Sequence, residues 1–149
     1  STAHLSQIQA AGGDARVELR GLLLHILTFV YQHNDEGPGE ATYAELGTVI
    51  SAVADAVRIR AGYPPLGAQA GKPDTWDAAT SRELAFFLLW LDGVQPDFVH
   101  DLNQTLRGGD GVAWTPDAFE SVTGSPIADL WLEYRAADCC TGEIWTCCR

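Results

Sequence analysis

The sequence predicts one mainly α-helical domain of about six helices. Apolar residues recur at steps of three and four along most of the chain, which is the spacing of one helix face. Serine, threonine or aspartate precedes several of these runs and glycine follows them, as at helix starts and stops. No long stretch alternates apolar with polar residues, and no repeat of about 20 to 50 residues occurs. The 149 residues therefore fit a single helical core.

The first predicted helix covers residues 14–32. Asp14 supplies an acceptor for the free N–H groups at the helix start, and Glu18 lies in the early turns. The apolar positions predict a largely buried helix. These positions are Val17, Leu22, Leu24, Leu27 and Val30. Residues 33–39 are polar and rich in helix breakers, so they form a loop.

The second predicted helix begins at Thr42, which forms a capping box with Glu45, and ends at Gly62. Residues 63–74 are rich in proline and glycine, which predicts an irregular connection across the surface.

The chain is predicted to be helical again after Trp76. Thr80 and Glu83 repeat the capping box, and this helix ends near Gly93. Because it carries apolar residues on nearly every side, it is predicted to be the central helix.

The fourth predicted helix has Pro96 as its first residue and ends at the glycines of residues 108–109. Two further helix starts pair a capping residue with a proline, at residues 115–116 and 125–126. One glycosylation sequon begins at Asn103, but its place inside a predicted helix disfavours glycosylation.

Charge and motif content exclude several function classes. The 9 basic and 20 acidic residues give a net charge of −11, which repels phosphate backbones and anionic lipids. The longest apolar runs are much shorter than the roughly 20 residues of a membrane-spanning helix. Glycine-rich phosphate-binding motifs and the GxSxG motif are absent. Neither nucleic acid nor a membrane is a predicted partner.

The composition also predicts a processed, secreted chain, because the sequence contains no methionine. The four cysteines are Cys139, Cys140, Cys147 and Cys148. In an extracellular chain they predict disulfides, for which three pairings are open. A four-thiolate metal site is disfavoured because the vicinal pairs lack the C-x-x-C spacing of structural zinc. We therefore divide the chain into a helical domain, residues 1–137, and a cysteine-rich tail, residues 138–149.

Several short motifs follow one another between residues 8 and 136. Residues 52–65 read AVADAVRIRAGYPP, and Glu18 and Gly21 precede His25 in the first helix. AFFLLWLD, PDFV and a final Leu-Trp segment come later. In this order they resemble motifs of the plant and microbial basic secretory proteins, a family of zinc peptidases. The resemblance implies a zincin-like helical domain. It also implies a strand-rich N-terminal segment, predicted here on a separate chain cut from the same precursor, which would make the whole protein α+β.

The metal-binding motif that the resemblance implies is incomplete in this sequence. In H-E-x-x-H, two histidines on one helix face bind Zn²⁺ and the glutamate polarises the attacking water. His25 stands at the first position, Ile26 at that of the glutamate and Phe29 at that of the second histidine. Ser51 replaces the glutamate of the family's EG pair, and Asp55 is the acid that remains. We therefore predict a pseudoenzyme with no zinc, no other cofactor and no peptidase activity.

The apolar replacements predict that the former metal cleft binds an apolar or aromatic small molecule, such as a pigment. The predicted ligand-binding residues are His25, Ile26, Phe29, Ser51, Asp55, Tyr63 and Trp76. One alternative is a secreted interaction or defence protein without a small ligand. The other is a metallopeptidase with a relocated site, for which His25, Asp55 and His33 are the available donors.

Overall fold

The computed structural model describes residues 14–32, 43–66, 68, 70–106 and 114–137. These residues form six α-helices and one short 3-10 helix, and no strand occurs among them. The helices are α1 (Ala15–Gln32), α2 (Tyr43–Arg60), α3 (Ser81–Val94), α4 (Phe98–Thr105), α5 (Asp117–Thr123) and α6 (Ile127–Ala136), and the 3-10 helix is Trp76–Ala78. The prediction of a mainly α protein with about six helices is confirmed.

Four predicted features lie outside the described residues. They are the loop at residues 33–39, the capping residue Thr42, the glycine stop at residues 108–109 and the cysteine tail at residues 138–149. The helix that follows Thr42 is confirmed, and it ends close to the predicted Gly62.

Helix α3 is central, as predicted, since it contacts α2, α4 and α6. Its fully buried side chains include Leu84 and Phe87. The Phe87 ring lies 5.1 Å from Trp131 and 5.5 Å from Tyr134, measured between ring centroids, so α6 closes the core with aromatic side chains. No helix among the described residues combines the length and the apolar character that crossing a membrane requires.

The predicted burial of α1 is wrong. Helix α1 packs on α2, and packing against one neighbour covers only one stripe of a helix. Several apolar side chains on the other side face away from the core, with Leu23 and Val30 59% and 64% exposed. We call this surface the outer face of α1. It consists of Leu19, Leu22, Leu23, Ile26, Leu27 and Val30.

The capping box of α3 is confirmed. The Thr80 hydroxyl accepts the N–H of Glu83 at 3.3 Å, and the Glu83 carboxylate accepts the N–H of Thr80 at 2.9 Å. Both bonds satisfy N–H groups that have no partner within the helix.

The predicted start of α4 at Pro96 is wrong, because the helix begins two residues later at Phe98. Pro96 and Asp97 lie in a turn closed by a hydrogen bond from the N–H of Phe98 to the carbonyl of Gln95. Asp97 takes a left-handed conformation with φ of 67° and makes no capping bond. The cap comes instead from Asp92, near the end of α3, whose Oδ1 accepts the N–H of Val99 at 3.0 Å.

Helices α5 and α6 begin one residue after the prolines predicted to open them. Pro116 and Pro126 occupy the capping positions, a difference within the usual spread of helix boundaries.

The connection between α2 and α3 is irregular, as predicted, and it holds α6 in place. Trp131 Nε1 donates to the carbonyl of Pro73 at 3.0 Å. Lys72 Nζ donates to the carbonyls of Tyr134 and Ala137 at 2.8 and 2.6 Å. These carbonyls belong to the end of α6, where helical partners are missing, so Lys72 caps that helix.

Candidate functional site

Helices α1 and α2 bring together the two polar residues retained from the predicted metal site. His25 Nδ1 lies 2.9 Å from Asp55 Oδ1, and the Asp55 carboxylate is almost completely buried. Ser81, the first residue of α3, places its hydroxyl 3.5 Å from the other oxygen of Asp55. Three helices therefore meet at one buried carboxylate.

Phe29 lies one helical turn after His25 and packs against it. The two ring centroids are 4.9 Å apart, with the rings tilted by 58°. Ile26 lies about 100° further round the helix from His25 and is 49% exposed, so it belongs to the outer face. Of the two replaced motif positions, one touches the histidine and the other faces outward.

The other predicted ligand-binding residues lie on α2 and on the connection after it. Ser51 is half-buried one turn before Asp55, on the same helix face. Tyr63 is half-buried just after α2, and Trp76 opens the 3-10 helix, where it packs against the main core. The structure thus joins His25, Phe29 and Asp55, aligns Ser51 with them, and places Tyr63 and Trp76 on the connection.

These residues do not fit the zinc that the resemblance implies. A protein zinc site needs three or four nitrogen, sulfur or oxygen donors. His25 and Asp55 supply two, while the i+4 position carries the Phe29 ring. The part of the chain that the structure describes contains no group of three or more histidine, cysteine, aspartate or glutamate side chains able to hold a metal.

A buried ion pair between the same helices was not anticipated from the sequence. Arg58 Nη2 lies 2.6 Å from Glu18 Oε2, and Arg58 Nε donates to the carbonyl of Tyr63 at 2.7 Å. Gly21 makes room for this guanidinium, since a Cβ atom there would overlap it. The sequence did hold a sign of this contact, because Glu18, Gly21, Arg58 and Tyr63 all belong to the segments that carry the family resemblance.

A cavity of about 660 Å³ lies between α1, α2 and α4. The described residues that line it are Leu24, Leu27, Thr28, Val30, Tyr31, Val53, Val57, Arg60, Val99, His100 and Asn103. It uses a different face of α1 from the one that carries His25 and Phe29. Leu27 and Val30 lie at its rim and belong both to the cavity lining and to the outer face of α1. The sequence did not predict it, because its walls come from three separate helices.

Asp92 does not line the cavity, but it holds two of the residues that do, Arg60 and Val99. Arg60 Nη2 lies 2.5 Å from Asp92 Oδ2, while the other oxygen of Asp92 caps α4 through Val99. On α4, Asn103 is 8% exposed, and its Oδ1 has no hydrogen-bond partner among the described residues. The cavity therefore combines apolar walls with a few fixed polar groups.

Comparison with known proteins identifies the family. No curated protein sequence and no solved structure is significantly similar to the chain. A family model described as peptidase of plants and bacteria matches residues 1–134. This match covers most of the chain and agrees with the motifs that α1, α2 and α3 carry. The chain therefore belongs to the BSP family, the peptidases of plants and bacteria.

Proposed function

We propose that this chain is a catalytically inactive member of its family that binds an apolar or aromatic small molecule. Three features of α1 support inactivity. Ile26 stands where the motif has its general base, and an alkyl side chain cannot polarise water. Phe29 stands where the motif has its second histidine and packs on His25. His25 alone remains of the three side chains of the motif, and one imidazole cannot hold zinc by itself.

Zinc content and peptide hydrolysis test the inactivity. We expect the natural chain to hold far less than one zinc after dialysis and to hydrolyse no peptide substrate. The Ile26→Glu/Phe29→His variant restores the motif, and it should gain zinc because Asp55 adjoins His25 and can act as a third donor.

The matched control places the same residue types elsewhere on α1. Leu19→Glu/Leu23→His puts a carboxylate and an imidazole one turn apart on the exposed outer face, away from Asp55. This control should gain no zinc. About one zinc per natural chain, or hydrolysis that a chelator abolishes, would overturn the proposal of inactivity.

The cavity between α1, α2 and α4 is the observation that carries the binding proposal. Its volume of about 660 Å³ lies within the range of roughly 300–1,000 Å³ usual for small-molecule sites. Leu24, Val53 and Val57 form apolar walls, and Arg60 and His100 add polar groups. Such a mixture buries an apolar body and orients it through a few polar contacts.

Fluorescence of Nile red, a neutral apolar dye, tests the cavity. Val57→Trp fills space at a half-buried cavity position and should abolish the saturable part of the dye binding. Leu132→Trp adds the same ring at an exposed position of α6 that does not line the cavity, and it should leave binding unchanged. Dye that merely adsorbs to the part of the outer face outside the cavity, at Leu19, Leu22 and Leu23, would bind both variants equally, and this result would contradict the proposal.

A ligand beside His25 and Phe29 remains a separate prediction. Phe29→Ala should then weaken ligand retention more than it lowers the free energy of unfolding. If Phe29 only fills the core, the same change should cost about 3–5 kcal/mol of stability and leave retention unchanged.

A role in protein interaction is the second candidate function, and the outer face of α1 favours it. Contiguous exposed apolar surface on a folded protein marks interaction sites. The partner predicted from the sequence is a second chain cut from the same precursor, and the outer face offers it an apolar contact surface.

We also propose that the chain is secreted, with Cys139, Cys140, Cys147 and Cys148 oxidised. The number and spacing of the cysteines support the disulfides, and the family resemblance supports secretion. Alkylation of the purified protein without reductant should label none of the four. Labelling of all four would contradict the disulfides and weaken the case for secretion.

A further inference from the structure

Asn103 is a buried polar side chain on the wall of the cavity. It is 8% exposed, and its Oδ1 accepts no hydrogen bond from the described residues. A buried acceptor without a donor is unusual, because desolvation is then not compensated. Oδ1 itself is shielded from solvent in the structure. The end torsion of an asparagine side chain is soft, so a rotation about it brings the oxygen to a molecule in the cavity.

The charges around the cavity disfavour ionic ligands. Arg60 is already paired with Asp92, so its charge is balanced within the protein. An anion would also meet the field of a chain with a net charge of −11. A cation would find no carboxylate among the described residues that line the cavity, since Asp92 lies outside the lining and is already bound to Arg60. The head group that fits is therefore neutral.

We propose that the cavity binds a neutral, apolar molecule whose hydroxyl group donates a hydrogen bond to Asn103 Oδ1. This inference rests on the proposed binding function and specifies the ligand as a phenol or an apolar alcohol. The apolar body lies against Leu24, Val53 and Val57, and the hydroxyl lies against α4. A hydroxyl supplies the missing donor without bringing a charge into the cavity.

Competition with Nile red at neutral pH tests which polar group the ligand carries. Three naphthalene compounds serve as competitors. They share one ring system: β-naphthol has a donor, its methyl ether has none, and β-naphthoate is an anion. We expect β-naphthol to bind roughly 3- to 10-fold more tightly than the ether, as befits one neutral hydrogen bond. β-Naphthoate should be the weakest of the three.

Two variants locate this preference. Asn103→Leu keeps the approximate size and removes the acceptor, so the ratio between naphthol and ether should fall to about one. Gln95→Leu removes an amide that donates to the carbonyl of Val122, away from the cavity, and should leave the ratio unchanged. Thermal unfolding of each variant checks that it is folded.

The outcomes separate this inference from the proposed function. Equal binding of naphthol and ether, both lost in Val57→Trp, overturns the hydroxyl assignment and leaves the binding proposal standing. Tightest binding of naphthoate, or displacement by none of the three compounds, also overturns it. Nile red binding that Val57→Trp does not change overturns the binding proposal itself.

Discussion

The contact between Gly21 and Arg58 gives a structural reason for the glycine that follows Glu18 in α1 and for the arginine in α2. The guanidinium of Arg58 passes against the backbone of α1 at Gly21 and reaches Glu18 and the Tyr63 carbonyl. Glycine is needed there for space alone, since the residue is an ordinary member of α1. These motif residues therefore join α1 to α2.

Gly21→Ala should destabilise the protein because its Cβ displaces a buried guanidinium. We expect the free energy of unfolding to fall by about 1–3 kcal/mol in a urea titration, as for overpacking elsewhere. Gly47→Ala is the control, because nothing lies within 4 Å of a Cβ at this position of α2. It should raise the free energy of unfolding by about 0.5–1 kcal/mol through helix propensity. Equal effects of the two changes would contradict this account of Gly21.

The ion pair between Glu18 and Arg58 should matter far more than a similar pair at the surface. Glu18→Ala leaves Arg58 buried without its carboxylate, so the free energy of unfolding should fall by about 3–5 kcal/mol. Asp74→Ala removes the partner of Arg135, and Asp74 is 95% exposed, so stability should hardly change. Denaturant titrations of both variants measure the difference, and a small effect of Glu18→Ala would show that the pair is dispensable.

At the scale of helices, local signals predicted positions well and packing poorly. The capping box of Thr80 and Glu83 acts within four residues, so the sequence is sufficient to place the start of α3. The cap of α4 comes from Asp92, which lies on another helix, so no local sequence pattern predicts this cap. The burial of α1 depends on what packs against it, and its apolar spacing does not contain that information.

The stability of helix α4 should depend on the cap from Asp92 and not on Asp97. Asp92→Ala leaves the buried N–H of Val99 without an acceptor, and we expect a loss of about 1–3 kcal/mol in the free energy of unfolding. Asp97→Gly should leave stability unchanged or raise it by about 1 kcal/mol, because glycine takes the left-handed conformation without strain. A larger loss of stability in Asp97→Gly than in Asp92→Ala would mean that Asp97, the residue before the helix, supplies the cap.

For the whole molecule, the sequence predicted the family and the helical fold but not the cavity. His25 and Asp55 were predicted as neighbours from the resemblance, and they are in contact. The cavity needs one face each of α1, α2 and α4, and the relative positions of three helices follow from long-range packing. Residues such as Val57 and Val99 therefore carried no sequence signal for a site.

At the largest scale, we predict that a second polypeptide packs against this chain. The outer face of α1 leaves large apolar side chains in solvent, which a partner chain would cover. Native mass spectrometry of material purified from its source should show this chain together with a second one from the same precursor. Leu23→Glu should release the second chain, because burying a carboxylate against apolar surface is costly. A single species of 16.1 kDa would contradict the prediction.

Lys72 gives the protein a built-in chemical reporter, because it is the only lysine of the chain. An acylating reagent thus meets one side-chain amine, and that amine is held against the end of α6 by the carbonyls of Tyr134 and Ala137. Acetylation requires this contact to open, so its rate in native buffer measures local opening of α6. Acetylation removes the positive charge and leaves Nζ with a single N–H, so the modified Lys72 can no longer donate to both carbonyls. The reaction that measures the opening rate therefore also yields a chain in which the end of α6 lacks its full cap.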